Sequence, residues 1–221
     1  MVIIATNNGK NYLNNLLISF ESFNIKKPIH IIDTGSTDID CIKFLEDIKS
    51  NKIFKDLNIL THKTPYKGFD SGAYIYAIQN IESEKYYFLH DSIIIKDFNF
   101  FNKIDEKLKS GVVVPLIVFN SNKYDNQDQI DFSLNKIGVS DFDFGIFGPM
   151  FAITKNDVSK IKKSLNFFPT KKNEQMAMER VWPALFKKYN ILIDPLEGFY
   201  SDSKIVNNQY EYFNKFLINR N

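Results

Sequence analysis

The stretch Lys85-Tyr86-Tyr87-Phe88-Leu89-His90-Asp91-Ser92-Ile93-Ile94-Ile95-Lys96 is apolar on both sides of three polar residues. It is too short to cross a bilayer. An apolar run without alternation reads instead as a strand buried on both faces, which requires a sheet covered by helices on each side. A lone carboxylate in such a strand costs several kcal/mol unless it finds a partner. Asp91 is therefore expected where the strand ends and a ligand begins, with a turn cap or a lysine pair as the structural alternative.

The flanking sequence supplies what such a sheet needs. Residues 2–6 form a short apolar run, Asn7-Asn8-Gly9 a turn, and Leu13, Leu16, Leu17, Phe20 and Phe23 a stripe at helical spacing. Residues 28–33 repeat the pattern, ending in Asp33-Thr34-Gly35-Ser36-Thr37-Asp38 before a second stripe of Ile39, Ile42, Leu45 and Ile48. A weaker strand at 57–61 precedes a helix carrying Tyr74, Ala77, Ile78 and Ile81, with Asp70 or Ser71 as its cap. This βαβ rhythm predicts a parallel sheet wrapped by helices.

Beyond the central run, Phe101, Ile104 and Leu108 predict a helix, and residues 111–119 a strand in which Pro115 favours an edge. Residues 120–147 are polar and aperiodic and are expected to form a loop over a site. Residues 148–154 return to strand, 156–165 to a short helix, and 174–188 to a helical stretch that Pro183 is expected to kink or divide. Residues 191–194 read as a last strand before a polar, aromatic tail.

Composition narrows the function. A net charge of +2, with lysines and acids scattered, argues against a nucleic-acid or anionic-lipid surface. The 21 Phe and 11 Tyr can fill a large core and still leave rings for a cleft. A single cysteine, Cys41, excludes an intramolecular disulfide framework and fits a reducing, cytoplasmic setting. The first residues have neither the basic region nor the apolar length of a signal peptide or anchor.

In open parallel sheets ligands bind beyond the carboxyl ends of the strands, where Thr6-Asn7, Asp33 and His90-Asp91-Ser92 fall. No Gly-x-Gly-x-x-Gly follows the first strand and no P-loop motif occurs, so a different mode of nucleotide binding is required. With Ile4-Ala5-Thr6-Asn7-Asn8 closing the first strand and Ile32-Asp33-Thr34-Gly35-Ser36-Thr37-Asp38 the second, the chain resembles the GT-A fold glycosyltransferases. The likeness is to family-2-like, nucleotide-sugar-dependent enzymes. It implies a Rossmann-like α/β fold with a mostly parallel central sheet. It also implies a single domain over residues 1–221, with a donor-binding half at 1–96 and an acceptor-side half at 97–221.

The resemblance assigns roles. Thr6 and Asn7 pack on the nucleoside, Asp33 accepts a hydrogen bond from the base, Lys67 and Gly68 pass the phosphate, and Asp70 meets a ribose or sugar hydroxyl. The central run falls where the family keeps an Asp-x-Asp signature for Mn²⁺ or Mg²⁺, which neutralises charge on the departing nucleotide. Here that signature is reduced to His90-Asp91-Ser92, with Asp91 or Ser92 as the metal ligand. Inverting members take an acidic general base six residues before an Arg, a spacing that Glu174 and Arg180 reproduce, although the usual Glu-Asp pair has become Asn173-Glu174. Glu179, Asp141 and Asp143 are further candidates, and Phe151 or Trp182 could support a sugar ring.

The implied reaction is transfer of a hexosyl or related sugar from a nucleoside-diphosphate sugar to a hydroxyl of a glycan or glycoconjugate, as in polysaccharide biosynthesis. A nucleotidyltransferase of related fold and a non-catalytic carbohydrate-binding derivative are the alternatives. The first would want a glycine-rich basic loop, of which Asn7-Asn8-Gly9-Lys10 is a poor version.

Overall fold

Strands that are apolar on both faces need two covers, and the chain delivers them in order. The computed structural model describes residues 1–66, 70–120, 123–138, 140–197, 199–200 and 210–216, with the backbone alone for 199–200. Strand β1 (Val2–Thr6) leads through Gly9 into α1 (Lys10–Ser22), β2 (Ile29–Asp33) into α2 (Ile39–Lys49), and β3 (Ile59–Lys63) towards α3 (Asp70–Asn80). β4 (Lys85–His90) is the centre of the sheet. Its six strands run β3-β2-β1-β4-β9-β6, where β6 is Val114–Pro115 and β9 is Phe151–Thr154. β3, β2, β1 and β4 are mutually parallel and β9 is antiparallel to both neighbours.

Alternation along β1 and β4 sends side chains into two separate cores. Ile3, Ala5 and Phe88 pack with α3 and with α7 (Lys172–Lys188), through Ala73, Tyr74, Ala77, Met178, Val181, Trp182 and Leu185. Val2, Ile4, Tyr87 and Leu89 pack with Leu13, Leu16 and Phe20 of α1, Phe44 and Leu45 of α2, and Phe100, Phe101 and Ile104 of α4 (Phe100–Lys109). Burying a large side chain of this kind stabilises the fold by about 1.5–3 kcal/mol.

Several sequence expectations are corrected. The central run is not one strand: it breaks at Asp91-Ser92, and β5 (Ile93–Ile95) leaves the main sheet to pair with β11 (Phe213–Lys215). Residues 111–119 divide between β6, the edge strand that Pro115 demands, and β7 (Val118–Asn120), which belongs to a second sheet with β8 (Phe144–Ile146) and β10 (Phe199–Tyr200). Residues 191–194 make a single bridge, Val113 to Ile193, rather than a strand.

The expected loop at 120–147 contains a helix, α5 (Gln127–Ile137), as well as β8. Asn126 caps α5 by accepting from Gln129 N, and Gly138 closes it in the left-handed region at φ 68°. Its buried residues are Gln129, Phe132, Ser133 and Ile137, half of them polar, so the helix was hidden by its polar composition and not by lack of a helical period. Pro183 does not divide α7, which runs unbroken. The proline forfeits the hydrogen bond to the Glu179 carbonyl, but Val181, Trp182, Ala184 and Leu185 around it are all buried in the core and hold the helix together. A short α6 (Lys155–Ile161) follows β9, and no described helix is long and apolar enough to cross a membrane.

Candidate functional site

The strand order β2-β1-β4 puts the three polar strand ends side by side. Thr6 is paired with Asp33 in register and Ala5 with His90, so Asp91 follows directly beside Thr6. The Thr6 hydroxyl donates to Asp91 Oδ2 at 2.8 Å, with both residues buried. Gly9 is what lets Asp91 lie there: a Cβ at that position would sit 1.9 Å from Asp91 Oδ2.

On the β2 side, Asp33 Oδ1 accepts from Gly35 N at 3.2 Å and Ser36 N at 2.8 Å, folding the Gly-Ser turn back over its own carboxylate. Asn8 ties this turn to the first: its Oδ1 accepts from Thr37 N and Asp38 N, and its own N donates to Ser36 Oγ. Asn7 Nδ2 donates to the Thr34 carbonyl at 3.1 Å. Beside them a cavity of about 280 Å³ is lined by Asp33, α2 residues Leu45 and Glu46, and Thr61 to Lys63 of β3.

On the β4 side the strand break is filled from the far end of the chain. β11 sets Lys215 opposite Ile93, on the same inward face as the buried Phe213. Lys215 is only 6% exposed. Its ammonium donates to Ser92 Oγ and, at 3.0 Å, to His90 Nδ1. An ammonium has no acceptor to offer, so Nδ1 is the acceptor and the ring proton sits on Nε2, which lies 3.0 Å from Asp70 Oδ2. Asp70, His90, Lys215 and Ser92 thus form one connected polar chain across the break.

Across from His90 stands Gly148. Its φ of 53° and a Cβ position 2.8 Å from His90 Cε1 leave room for no side chain. Gly148 N donates to Glu179 Oε1 at 3.0 Å, which brings the middle of α7 to the site. Burial pushes the Glu179 carboxyl up from 4.5 to about 7; the Gly148 N–H and the Arg180 guanidinium, 3.3 Å from Oε2, oppose the rise without cancelling it. The side chain keeps 21% of its surface open. The hydroxyl of Tyr74, fully buried near the charges of Asp70 and Asp91, is also held well above its usual range.

Solved structures share this architecture. TarS of S. aureus superposes with a TM-score of 0.53 at 14% identity, covering 96% of this chain and 58% of that one. A mannosyltransferase from Pyrobaculum calidifontis, in complex with GDP-Man and Mn²⁺, gives 0.54 at 12% identity over 91% and 55%. The glucosyl-3-phosphoglycerate synthase of Mycobacterium tuberculosis, in complex with Mn²⁺ and UDP, gives 0.53 at 13% identity over 88% and 68%. The fold is that of the GT-A glycosyltransferases. At these identities the likeness is one of fold, and the chain spans little more than half the length of the first two. No family model and no curated sequence matches the chain.

Of the residues that the GT-A resemblance singled out, Thr6, Asn7, Asp33, Asp70, Asp91 and Ser92 gather at the carboxyl end of the sheet, whereas Lys67 and Gly68 lie outside the described residues. Glu174 is engaged elsewhere. Its Oε2 accepts from Thr170 N, Thr170 Oγ1 and Lys171 N, which caps the first turn of α7. Asp141 and Asp143 both pair with Lys187 on the exposed surface. Phe151 and Trp182 pack against each other in the core, fully buried, with ring centres 4.9 Å apart and planes tilted by 54°. Sequence reasoning missed Asn8 and Lys215; the one available signal for Lys215 was its strand parity with Phe213.

The divalent cation implied by the GT-A fold does not suit this donor set. Hard cations want several oxygen ligands. Asp91 is the one carboxylate left in the signature, and Ser92 Oγ is hydrogen-bonded to an ammonium, beside which a dication would meet a like charge. Among the described residues no group of three or more His, Cys, Asp or Glu could hold a metal ion.

Proposed function

We propose that the protein is a glycosyltransferase that moves a hexosyl or related sugar from a nucleoside-diphosphate sugar to a hydroxyl of a glycan or glycoconjugate. The observation that carries this reading is the convergence of Thr6, Asp33 and Asp91 at the ends of three adjacent strands of a GT-A sheet. Asp33 takes the base at the mouth of the β2–β3 cavity. Thr6 and Asn7 line the nucleoside, Asp70 meets a sugar hydroxyl, and the diphosphate reaches towards Asp91 and Ser92.

In this reading Glu179 rather than Glu174 is the general base. A carboxylate with a pKa near neutrality suits proton removal from an alcohol, and Glu174 is already spent on the cap of α7. For inversion, the acceptor oxygen bonds to the anomeric carbon as its proton passes to Glu179. The bond from that carbon to the diphosphate oxygen breaks, its electron pair leaving with the nucleotide. Residues 1–96 then supply most of the donor contacts and residues 97–221 the base and the acceptor side.

The test is thermal stabilisation by a panel of nucleoside diphosphates and their sugars. A ligand at about 100 times its dissociation constant adds roughly 2.7 kcal/mol. A shift selective for one base, lost in Asp33→Ala, supports the reading. If no nucleotide shifts the curve, the donor site is refuted and a carbohydrate-binding derivative takes its place.

A further inference from the structure

We infer that Lys215 takes the place of the divalent cation: its ammonium, held on Ser92 and His90 beside Asp91, is the counter-charge for the donor diphosphate, and binding requires no metal. This rests on the nucleotide-sugar reading above and deepens it.

Four features of the site support the inference. The first is position. β11 pairs antiparallel with β5 so that Lys215 faces Ile93, and Phe216 N donates to the Ser92 carbonyl, clamping the lysine against the strand break by backbone bonds on both sides. The charge is therefore placed by sheet geometry and does not wander on a flexible stem. It sits at the Asp-x-Asp position, where the fold has its strand end and where Asp91 and Ser92 face the donor.

The second is chemistry. Two of the groups that hold the ammonium, His90 Nδ1 and Ser92 Oγ, are neutral acceptors that orient the charge at the strand break. Asp70 Oδ2 lies 3.0 Å from Nε2 on the far side of the imidazole, while Nδ1 faces the lysine. A lysine is a compact point charge that binds phosphate oxygens without a required approach direction, which is what a leaving diphosphate asks of its counter-ion.

The third is exclusivity. A dication and this ammonium would compete for Ser92 Oγ and repel each other. The fourth is the interior location. With Lys215 almost fully buried, its field is screened far less than that of a surface lysine. Together these give the strand break a fixed positive charge in the role that a bound metal plays in metal-dependent relatives of the fold.

The experiment is calorimetric titration of the full chain with the nucleoside diphosphate selected by the thermal screen, in EDTA and in Mn²⁺, with the matching nucleoside as reference. The wild type is expected to bind the diphosphate in EDTA with an affinity that Mn²⁺ changes by less than about twofold. Lys215→Met is expected to weaken the diphosphate roughly 10- to 100-fold, the scale of one charge-assisted contact, while leaving the nucleoside unaffected. Lys215→Arg, which keeps the charge, is expected to fall between the two.

Diphosphate binding that demands Mn²⁺ overturns the inference in the wild type alone, whether or not any variant folds. Unchanged diphosphate affinity in a folded Lys215→Met protein overturns it as well. In either case the nucleotide-binding reading survives. Failure of every nucleoside and diphosphate to bind refutes that reading first and the role of Lys215 with it.

Discussion

Replacing Glu179 by Gln separates what this carboxylate does for the reaction from what it costs the fold. The rise from 4.5 to about 7 comes first from burial, then from Asp125, against the opposing pull of Gly148 N, Arg180 and Lys215. It corresponds to about 3 kcal/mol between the two protonation states. The native state holds the proton more tightly than the unfolded chain, so the stability this residue confers is complete below about pH 4.5 and is lost as pH rises through about 7.

Gln is isosteric, keeps an oxygen for Gly148 N, and does not ionise. Glu179→Gln is thus expected to match the wild type in acid and to exceed it by about 3 kcal/mol above neutrality, with about 2 kcal/mol of that difference appearing between pH 5.5 and 8.5. Urea unfolding at those two pH values measures it. In turnover the same variant should lose roughly 10²- to 10⁴-fold in kcat with little change in donor affinity. A stability difference that does not vary with pH would refute the argument from burial, and undiminished turnover would remove Glu179 from the reaction.

Glu174→Ala should behave in the opposite way: loss of the Glu174 cap on the first turn of α7 costs about 1 kcal/mol in urea, while turnover stays near wild type, and a large fall in kcat would return Glu174 to the role of base. Gly9→Ala should drive Asp91 off its Thr6 bond, because the new methyl would lie 1.9 Å from Oδ2; a destabilisation of about 1–3 kcal/mol and weakened nucleotide binding are expected, and a variant that binds normally would show that Asp91 need not be placed there. Far from the site, burial raises the Asp105 carboxyl but bonds from Lys27, Lys85 and Tyr87 outweigh it and hold it at about 2. That stability is present above about pH 4 and lost as pH falls through about 2, so Asp105→Asn should cost about 2 kcal/mol at neutral pH and leave nucleotide binding intact, as paired urea and thermal-shift curves would show.

How much of this was legible beforehand follows from the range of the forces involved. Doubly apolar strands, helical stripes and the residues at strand ends are local patterns, and they were enough to predict the parallel αβ sheet and to mark Thr6, Asp33 and Asp91. Where the buried face of an element is itself half polar, as in α5 with Gln129 and Ser133, the composition resembles a loop although the helical period is present, and the helix was read as loop. Pro183 misled in the other direction, because a local penalty was outweighed by the core packed around it.

The sequence by itself therefore determined the elements and the chemistry available at the strand ends, since side-chain period and turn chemistry act between near neighbours. Only the tertiary structure decided which charged groups meet there. Nothing local ties Lys215 to Ser92, 123 residues earlier, or gives Glu179 a near-neutral carboxyl while Glu174, five positions before it on the same helix, is committed to a cap. Ionisation and pairing depend on burial and on distances through space, and those exist only once the chain has closed.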